Sequence, residues 1–333
     1  MNKFLLSLAA VLLSIAASAA TTKTYTVAVV YDGTKATVTI PEEISNYVSC
    51  FSGESSHVKL IQAETVSDKT TGEIIYSLKG NTDNGEFYFI GEYKATLKLD
   101  GLTLANPDSS AVHIKDGKRI KVSITDKTIN TLSDGVADTT SKGCFHCKGH
   151  TEFAGKGTLN ISSVFNHAVY SKEYVEVKNC TLNITGAKKD GIHCQEYFLM
   201  SSGELNISGV EDDGIQVELK DSIQTGTLKD HEDENSGNFY MTGGTLTISD
   251  VGSYCLKTVG TIQYSGTTGK QNFDTTNVLE NASTAIKETV FSPLSDRPVY
   301  YDLSGRRIAK EALLPRGIYI VKEGGKTRKE MKR

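Results

Sequence analysis

The chain has 333 residues, with six cysteines, five prolines, no tryptophan and a formal net charge of −4. It is long enough for one large domain or two unequal ones, and its many Gly, Thr, Ser and Asn residues favour a β-rich fold with many turns. Residues 21–296 carry 24 basic and 36 acidic side chains, a net charge of −12, which argues against a nucleic-acid partner.

The first 20 residues have the pattern of a secretory signal peptide. Lys3 carries the one charge of this segment, Leu5–Ile15 is apolar, and Ala17-Ser18-Ala19 offers small residues for cleavage. The apolar run is too short to span a membrane, and no other run in the sequence approaches the roughly 18 residues that a span needs. We therefore expect residues 1–20 to be removed and the mature protein to be secreted or held at the outer cell surface.

A repeat dominates the middle of the chain, and residues 21–90 are expected to form a β-structured region that caps it. Four segments are similar: Gly157-Thr-Leu-Asn-Ile161, Cys180-Thr-Leu-Asn-Ile184, Gly203-Glu-Leu-Asn-Ile207 and Gly244-Thr-Leu-Thr-Ile248. Seven residues after each final Ile comes a small residue followed by an aliphatic one, and the closest copies lie 23 or 24 residues apart. Such a period is typical of a repeat architecture.

A unit of this length has room for three short strands and three turns, which is one coil of a β-helix. Each coil pairs in parallel with the next, about 4.8 Å above it. Alternation within the strand directs Leu159 and Ile161 inward and Asn160 outward. The sequence therefore predicts an all-β fold, a right-handed single-stranded parallel β-helix over residues 91–265. One inward column is expected to contain Ile161, Ile184, Ile207 and Ile248.

The six cysteines of an exported chain suggest disulfides at first sight. Cys147 and Cys194 take the same inward position two coils apart, with Ser171 between them, so their backbones would lie roughly 9.6 Å apart. A disulfide requires Cα atoms within about 6.8 Å. We therefore expect no bridge between them, and mostly free, buried thiols.

One outward position recurs in the strand that follows each small residue. It is occupied, coil by coil, by His113, His146, Tyr170, His193, Gln216 and Lys257. Stacked at one residue per coil, these side chains would form a strip that binds a linear polysaccharide, because rings pack on sugar faces while nitrogens and hydroxyls donate hydrogen bonds. The alternative is that each coil needs an outward polar residue and that the strip only meets this need.

The turn before that strand carries acidic residues in two adjacent coils. Asp190 and Asp213 take equivalent positions, and Asp212 precedes the second. Carboxylates about 5 Å apart repel unless a cation lies between them, and calcium takes six to eight oxygens of the kinds that a turn supplies. We expect calcium at these three residues; the alternative is that Asp-Gly is simply favourable turn chemistry.

Several of these motifs, in the same order, resemble those of the carbohydrate-binding β-helix family that is related in shape to pectate lyases. The matching stretch runs from about Tyr76 to Thr258 and includes Leu99-Asp-Gly-Leu-Thr-Leu104, Lys189-Asp-Gly-Ile-His193 and Asp212-Asp-Gly-Ile-Gln216. The resemblance implies a non-catalytic protein that binds plant cell-wall polysaccharide, including acidic sugars, and holds calcium ions in the β-helix.

The C-terminal part of the chain has a different character. Residues 266–290 are predicted to be a linker, and residues 291–333 a separate small domain with a basic end. Its motif Val299-Tyr-Tyr-Asp-Leu-Ser-Gly-Arg-Arg307, followed by Gly317-Ile-Tyr-Ile-Val321, resembles the C-terminal sorting domain of type IX secretion. The resemblance implies a β-sandwich-like domain with the secretion machinery as its partner.

Two other function classes compete with a monomeric polysaccharide-binding protein. A calcium-dependent polysaccharide lyase would need a basic residue beside calcium-bound carboxylates. Residues 143–258 contain no arginine, and their lysines are expected to have no fixed pairing with the aspartate turns. A purely structural surface adhesin is the other alternative, which a test of glycan binding would distinguish. We therefore expect no catalytic residues.

Overall fold

The computed structural model describes residues 23–53, 55–136, 140–221, 234–265, 269–282, 299–301, 316–323 and 326–332. The predicted signal peptide, most of the motif at 299–307 and parts of the predicted linker lie outside the described residues. The chain divides into two compact units, residues 1–282 and 283–333. No helix in the described part of the chain is long and apolar enough to cross a membrane.

Almost all regular structure in the larger unit is strand. The first strands are β1 (Thr26–Asp32), β2 (Lys35–Thr39), β3 (Val48–Cys50), β4 (His57–Gln62), β5 (Ile74–Thr82), β6 (Glu86–Ile90) and β7 (Ala95–Asn106), with a short 3-10 turn at Glu42–Ile44. The middle strands are β8 (Val112–Lys115), β9 (Ile120–Ile124), β10 (Ile129–Asp134), β11 (Gly143–Cys147), β12 (Thr151–Gly155), β13 (Thr158–Ser162), β14 (His167–Ser171), β15 (Val175–Lys178) and β16 (Thr181–Ile184). The last are β17 (Ile192–Gln195), β18 (Tyr197–Met200), β19 (Glu204–Ile207), β20 (Ile215–Glu218), β21 (Asn238–Met241), β22 (Thr245–Ile248), β23 (Leu256–Thr258), β24 (Ile262–Tyr264), β25 (Lys270–Asn272) and β26 (Val278–Leu279).

These strands stack into three faces of parallel strands. The first face contains β9, β12, β15, β18, β21 and β24, and the second contains β10, β13, β16, β19, β22 and β25. The long strand β7 pairs with both β9 and β10, so it joins the two faces around a corner. The third face runs β4, β6, β8, β11, β14, β17, β20, β23 and β26. The fold is thus the expected parallel β-helix, with about eight turns.

Parallel pairing extends beyond the predicted range of 91–265 at both ends. β4 pairs in parallel with β6, and β5 with β7, so the first coils lie within the region 21–90 that was predicted only to cap the helix. At the other end, β25 and β26 continue the stack to Leu279. The first coils do not show the repeat pattern in the sequence. The reason is that each of them has one long strand, β5 or β7, where a later coil has two short strands.

The predicted inward isoleucine column is confirmed. Ile161, Ile184, Ile207 and Ile248 are in register across β13, β16, β19 and β22, and each is at most 3% exposed. Outward on the same face, the Asn183 amide donates to Asn160 Oδ1 at 2.8 Å, and the Asn206 amide donates to Asn183 Oδ1 at 2.9 Å. The alternation therefore separates a dry inward column of isoleucines from a partly buried outward ladder of amides.

The cysteine prediction is also confirmed. Cys147, Ser171 and Cys194 lie in register on β11, β14 and β17, so the two cysteines are two coils apart. All six cysteines are free, and all but Cys50 are buried. Burial raises the pKa of Cys147 to about 12, which keeps this thiol protonated and unreactive.

The smaller unit is described by three antiparallel strands, β27 (Val299–Tyr301), β28 (Gly317–Glu323) and β29 (Lys326–Lys332). Tyr300, Tyr319 and Val321 pack together as its own small core. The sheet agrees with a small separate β domain at the C-terminus. A role of this unit in secretion stays a prediction.

Candidate functional site

The outward ladder of the third face forms in the predicted register. His113, His146, Tyr170, His193, Gln216 and Lys257 are direct neighbours on successive strands, and Tyr88 precedes them on β6. The rings touch along the stack: His113 and His146 are stacked with centroids 4.4 Å apart, and Tyr170 and His193 are stacked at 5.4 Å. Ring contacts between coils thus stabilise this face from the outside.

The ladder is less accessible than a flat strip would be. His113, Tyr170 and His193 are only 6–9% exposed, although their side chains point away from the β-helix core. Residues from neighbouring coils and turns cover them, as Lys142 does by placing its Nζ 4.9 Å from the centre of the Tyr170 ring. Since a sugar needs an accessible surface, the six positions do not offer one continuous platform. His146, Gln216 and Lys257 are half-buried, and the ladder borders a cleft at Tyr170 and His193.

That cleft lies beside Tyr170 and His193 and has a volume of about 540 Å³. It is lined by Thr140, Ser141, Lys142, Asn166, His167, Tyr170, Lys189, His193, Gln195 and Glu218. Lys142 and Lys189 bring positive charge to it, and the Lys142 ammonium donates to the Tyr170 hydroxyl at 3.2 Å. The cleft therefore combines an aromatic ring, several hydrogen-bonding groups and two lysines on a body that is acidic overall.

The Asp-Gly turns join adjacent coils through hydrogen bonds between a carboxylate and a backbone N–H. The amide of Asp213 donates to Asp190 Oδ1 at 3.1 Å, and the amide of Tyr254 donates to Asp213 Oδ1 at 3.0 Å. Each carboxylate thus receives the backbone N–H of the next coil at the same turn. The following glycines are required because a Cβ on Gly191 or Gly214 would lie 2.7 Å or less from a carbonyl oxygen of the next coil.

The remaining oxygens of these buried carboxylates face cationic side chains. Asp190 Oδ2 lies 3.0 Å from His193 Nδ1, and Asp213 Oδ2 accepts a bond from the Lys257 ammonium at 2.8 Å. Burial alone would raise the pKa of Asp190, but hydrogen bonds with His167 and His193 outweigh burial and hold this pKa well below its usual range. The expectation that no lysine pairs with the aspartate turns is therefore wrong for Lys257, because register places it one coil after Asp213.

The three predicted calcium ligands do converge. One carboxylate oxygen each from Asp190, Asp212 and Asp213 lie within 4.8 Å of one another. Asp212 is only partly buried, and its pKa is raised by this burial and by the two neighbouring carboxylates. The donor type suits a hard cation such as calcium, and each carboxylate oxygen has a second lone pair beyond the bond it already accepts. The Lys257 ammonium already supplies part of the positive charge.

A second group of ligand atoms at this place was not predicted from the sequence. His167 Nδ1 and His193 Nδ1 lie 3.1 and 3.0 Å from Asp190 Oδ2, and all three residues are buried. Burial lowers the pKa of His167, whereas hydrogen bonds to Asp190 and Glu218 outweigh burial and raise the pKa of His193. The signal was present, since His167 precedes Asp190 by one 23-residue period at the same turn position.

The corner between the third and first faces holds another charged cluster. His150 Nε2 lies 2.8 Å from Glu173 and 3.3 Å from Glu196, and the Lys220 ammonium bonds both glutamates. Burial alone would lower the pKa of His150, but the bonds to Glu173 and Glu196 raise it to about 9. Two carboxylates therefore face two cations, and Lys220, which follows β20, is bound to glutamates of the two preceding coils.

Comparison with known proteins agrees with this architecture. Residues 62–292 match the family model described as carbohydrate-binding domain-containing protein. A curated protein of that description from Acetivibrio thermocellus is 26% identical over 110 residues, which cover 30% of this chain and 38% of the relative. The chain thus matches well under half of the length of that relative.

A solved structure shares the fold. It is the gadolinium derivative of a polysaccharide lyase-like protein from C. thermocellum, with a TM-score of 0.53 and 18% identity, and the match covers 77% of this chain and 99% of that one. At this identity the likeness concerns the fold alone. The family match covers more than two thirds of the chain, and the chain therefore belongs to the family of carbohydrate-binding domain-containing proteins.

Proposed function

We propose that this protein is an exported, non-catalytic protein that binds an acidic polysaccharide of the plant cell-wall type in the cleft beside Tyr170. The observation that carries the proposal is the lining of the cleft, which joins the Tyr170 ring to the charged side chains of Lys142 and Lys189. Membership of a carbohydrate-binding family supports the sugar as the ligand.

The charge distribution favours a uronate over a neutral sugar. Residues 21–296 have a net charge of −12, so an anionic polymer is repelled by the body as a whole. Binding then depends on local cations, and Lys142 and Lys189 are both exposed at the cleft. Ammonium groups form charge-assisted hydrogen bonds to carboxylates that are roughly twice as strong as neutral ones. Tyr170 borders the cleft, and its hydroxyl, 3.2 Å from the Lys142 ammonium, offers a hydrogen bond to a sugar oxygen.

Calcium at Asp190, Asp212 and Asp213 is part of the proposal. The convergence of three carboxylates and the raised pKa of Asp212 support a cation there. Bound calcium would reduce the negative charge close to the cleft and could share a uronate oxygen of the ligand. The basic C-terminal unit is proposed to act in export to the cell surface, because its sequence resembles a type IX sorting domain.

A binding assay with matched charge changes tests the sugar site. Lys142→Gln and Lys189→Gln should each weaken binding of oligogalacturonate about tenfold, or about 1.4 kcal/mol, in isothermal titration calorimetry. Lys178→Gln is the control, because Lys178 is an exposed lysine of β15 on the first face, outside the cleft. Equal losses in all three variants would show that only net charge matters, and would overturn the cleft as the site.

Thermal melting tests calcium separately. Because calcium binds only the folded turns, it should raise the melting temperature in a concentration-dependent way. Asp212→Asn should abolish this rise with little effect on the calcium-free protein, since Asp212 is only partly buried and is repelled by the carboxylates of Asp190 and Asp213. A melting curve that chelator and calcium leave unchanged would remove calcium from the proposal.

A polysaccharide lyase is the second candidate, and one contact favours it. The Lys142 ammonium and the Tyr170 hydroxyl are 3.2 Å apart inside the cleft, which is a pairing suited to proton transfer next to a uronate carboxylate. Lyase action leaves an unsaturated sugar that absorbs ultraviolet light. Incubation of the protein with polygalacturonate should therefore produce no such absorbance if the protein only binds. An increase that Tyr170→Phe eliminates would establish the lyase instead.

A further inference from the structure

We infer that His167, Asp190 and His193 form a binding site for a divalent transition-metal ion of the zinc class, distinct from the calcium group. The two Nδ1 atoms lie 3.1 and 3.0 Å from the same carboxylate oxygen, and the three ligand atoms lie within 4.8 Å of one another. Ligand atoms that are each about 2.0–2.2 Å from one zinc ion lie roughly 3 to 3.5 Å apart. The backbone N–H of Asp190 donates to His167 Nδ1 at 3.2 Å, so an ion would replace this hydrogen bond, and a small movement of the side chains would then accommodate it.

The donor set decides which kind of ion the site takes. Imidazole suits zinc, copper and nickel, whereas calcium takes six to eight oxygens. Two imidazoles and one carboxylate are also the ligand number of zinc sites that keep one position open. The three-carboxylate group shares Asp190 with this site but has no nitrogen donor, so the two groups prefer different ions.

The surroundings hold the ligands in the orientation that a metal needs. His193 Nε2 lies 3.4 Å from Glu218 Oε2, so a carboxylate faces the ring nitrogen opposite Nδ1. Metal-bound histidines almost always donate this second N–H to a carboxylate, a carbonyl or water. The Asp213 amide donates to Asp190 Oδ1 and thereby fixes the carboxylate while its Oδ2 faces the two rings. These contacts are independent of the ligand distances themselves.

An ion can reach the site from the cleft. His167 and His193 both line it, although each is less than one tenth exposed. The cleft also contains oxygen and nitrogen groups of Asn166 and Gln195, and it leaves room for water or another ligand on the ion. The site is therefore accessible from one side and enclosed by the β-helix on the other.

The test uses the mature full chain without a histidine tag. Zinc binding is measured by calorimetry, and cobalt is titrated as a spectroscopic probe, because its visible absorbance reports nitrogen ligands and low coordination number. We expect one tight ion per chain, with His167→Gln and His193→Gln each weakening binding at least tenfold. Glu218→Gln should weaken it about tenfold, as second-sphere changes do.

Two controls separate this site from its neighbours. Asp212→Asn should leave zinc and cobalt binding unchanged while it removes the calcium response, so failure of the calcium proposal and failure of this one are distinguishable. His146→Gln should also leave zinc binding unchanged, although His146 stacks on His113 in the same ladder. Loss of binding in either control would place the ion elsewhere and overturn the inference.

A crystallographic measurement uses the wild-type protein, so its result does not depend on whether a variant folds. Wild-type crystals soaked in zinc should show an anomalous difference peak within bonding distance of both Nδ1 atoms and of Asp190. Absence of a peak, together with no cobalt absorbance, would show that the three residues are a hydrogen-bonded triad only.

Discussion

The Lys257 ammonium lies 2.8 Å from Oδ2 of Asp213, a carboxylate with no exposed surface that belongs to the preceding coil. The Asp213 carboxylate also accepts the backbone N–H of Tyr254, so one side chain ties two coils together. Lys257, the last residue of the ladder, thus neutralises the buried Asp213 carboxylate of the turn. A residue that the sequence assigned to ligand binding has a definite structural partner.

We expect Lys257→Met to destabilise the protein by about 1–3 kcal/mol, because it leaves the Asp213 carboxylate buried and without its cation. Urea unfolding measures this loss. The double variant Asp213→Asn with Lys257→Met should recover part of it, since the amide carries no charge. If the single and double variants are equally stable, the pair contributes nothing.

The isoleucine column gives the strongest test of register. Ile184→Asp places an unpaired charge among apolar side chains and should cost about 4 kcal/mol or more, enough to unfold most of the β-helix. Circular dichroism and thermal melting report the change. Lys178→Asp is the matched control, because it adds the same carboxylate at an exposed position of the same coil. Equal melting temperatures for both variants would contradict the register.

The His150 cluster predicts loss of stability at alkaline pH. The folded-state pKa of His150 is raised to about 9, above its unfolded value near 6.5. Its contribution is therefore complete below about pH 6.5 and disappears as pH rises through about 9, at a cost on the order of 2 kcal/mol. Glu173, Glu196, Lys220 and the stacked ring of Tyr174 are the groups that face it.

The measurement is the free energy of unfolding between pH 6 and 9.5. Wild type should lose stability across this window, and His150→Gln should be less stable at pH 6 but nearly independent of pH. Parallel curves for the two proteins would show that His150 does not carry the dependence. Lys220 keeps its charge throughout, since its pKa is raised by the same glutamates despite the opposing effect of burial.

Asp116 predicts a loss of stability in the same direction, with rising pH, but in the acid range. Its side chain is fully buried, Oδ2 has no hydrogen-bond partner among the residues that the structure describes, and burial raises its pKa to about 6. A carboxyl whose folded pKa is raised binds its proton more tightly in the native state, so stability falls as pH rises from about 4 to 6. Asp116→Asn should therefore stabilise the protein at pH 7 by about 1–2 kcal/mol. A neutral or destabilising result in urea unfolding would contradict the unpaired carboxylate.

The separate C-terminal unit allows a deletion experiment. Removing residues 297–333 should leave the melting temperature of the β-helix unchanged, because the two units have separate cores. In cells, the truncated protein should remain in the periplasm and be absent from the surface. Surface labelling at the normal level would show that this unit is not a sorting signal.

The sequence predicted the parts of the site that follow from the repeat. The period placed His113, His146, Tyr170, His193, Gln216 and Lys257 in one ladder, and it placed Asp190 and Asp213 at equivalent turns. It did not predict which of these side chains are accessible. That property depends on Lys142 and on neighbouring turns that pack sideways against the ladder.

By itself, the sequence determined the coil, the inward and outward positions, and the separation of Cys147 from Cys194. These follow from a coil period of 23 or 24 residues and from the two-residue alternation of a strand, which together fix the register of the coils. Only the tertiary structure decided that His167 and His193 meet on one oxygen of Asp190, and that Lys220 bonds Glu173 and Glu196. The period places His167 and Asp190 at the same turn of adjacent coils, but the directions of these side chains are set by packing between coils, which the period does not encode.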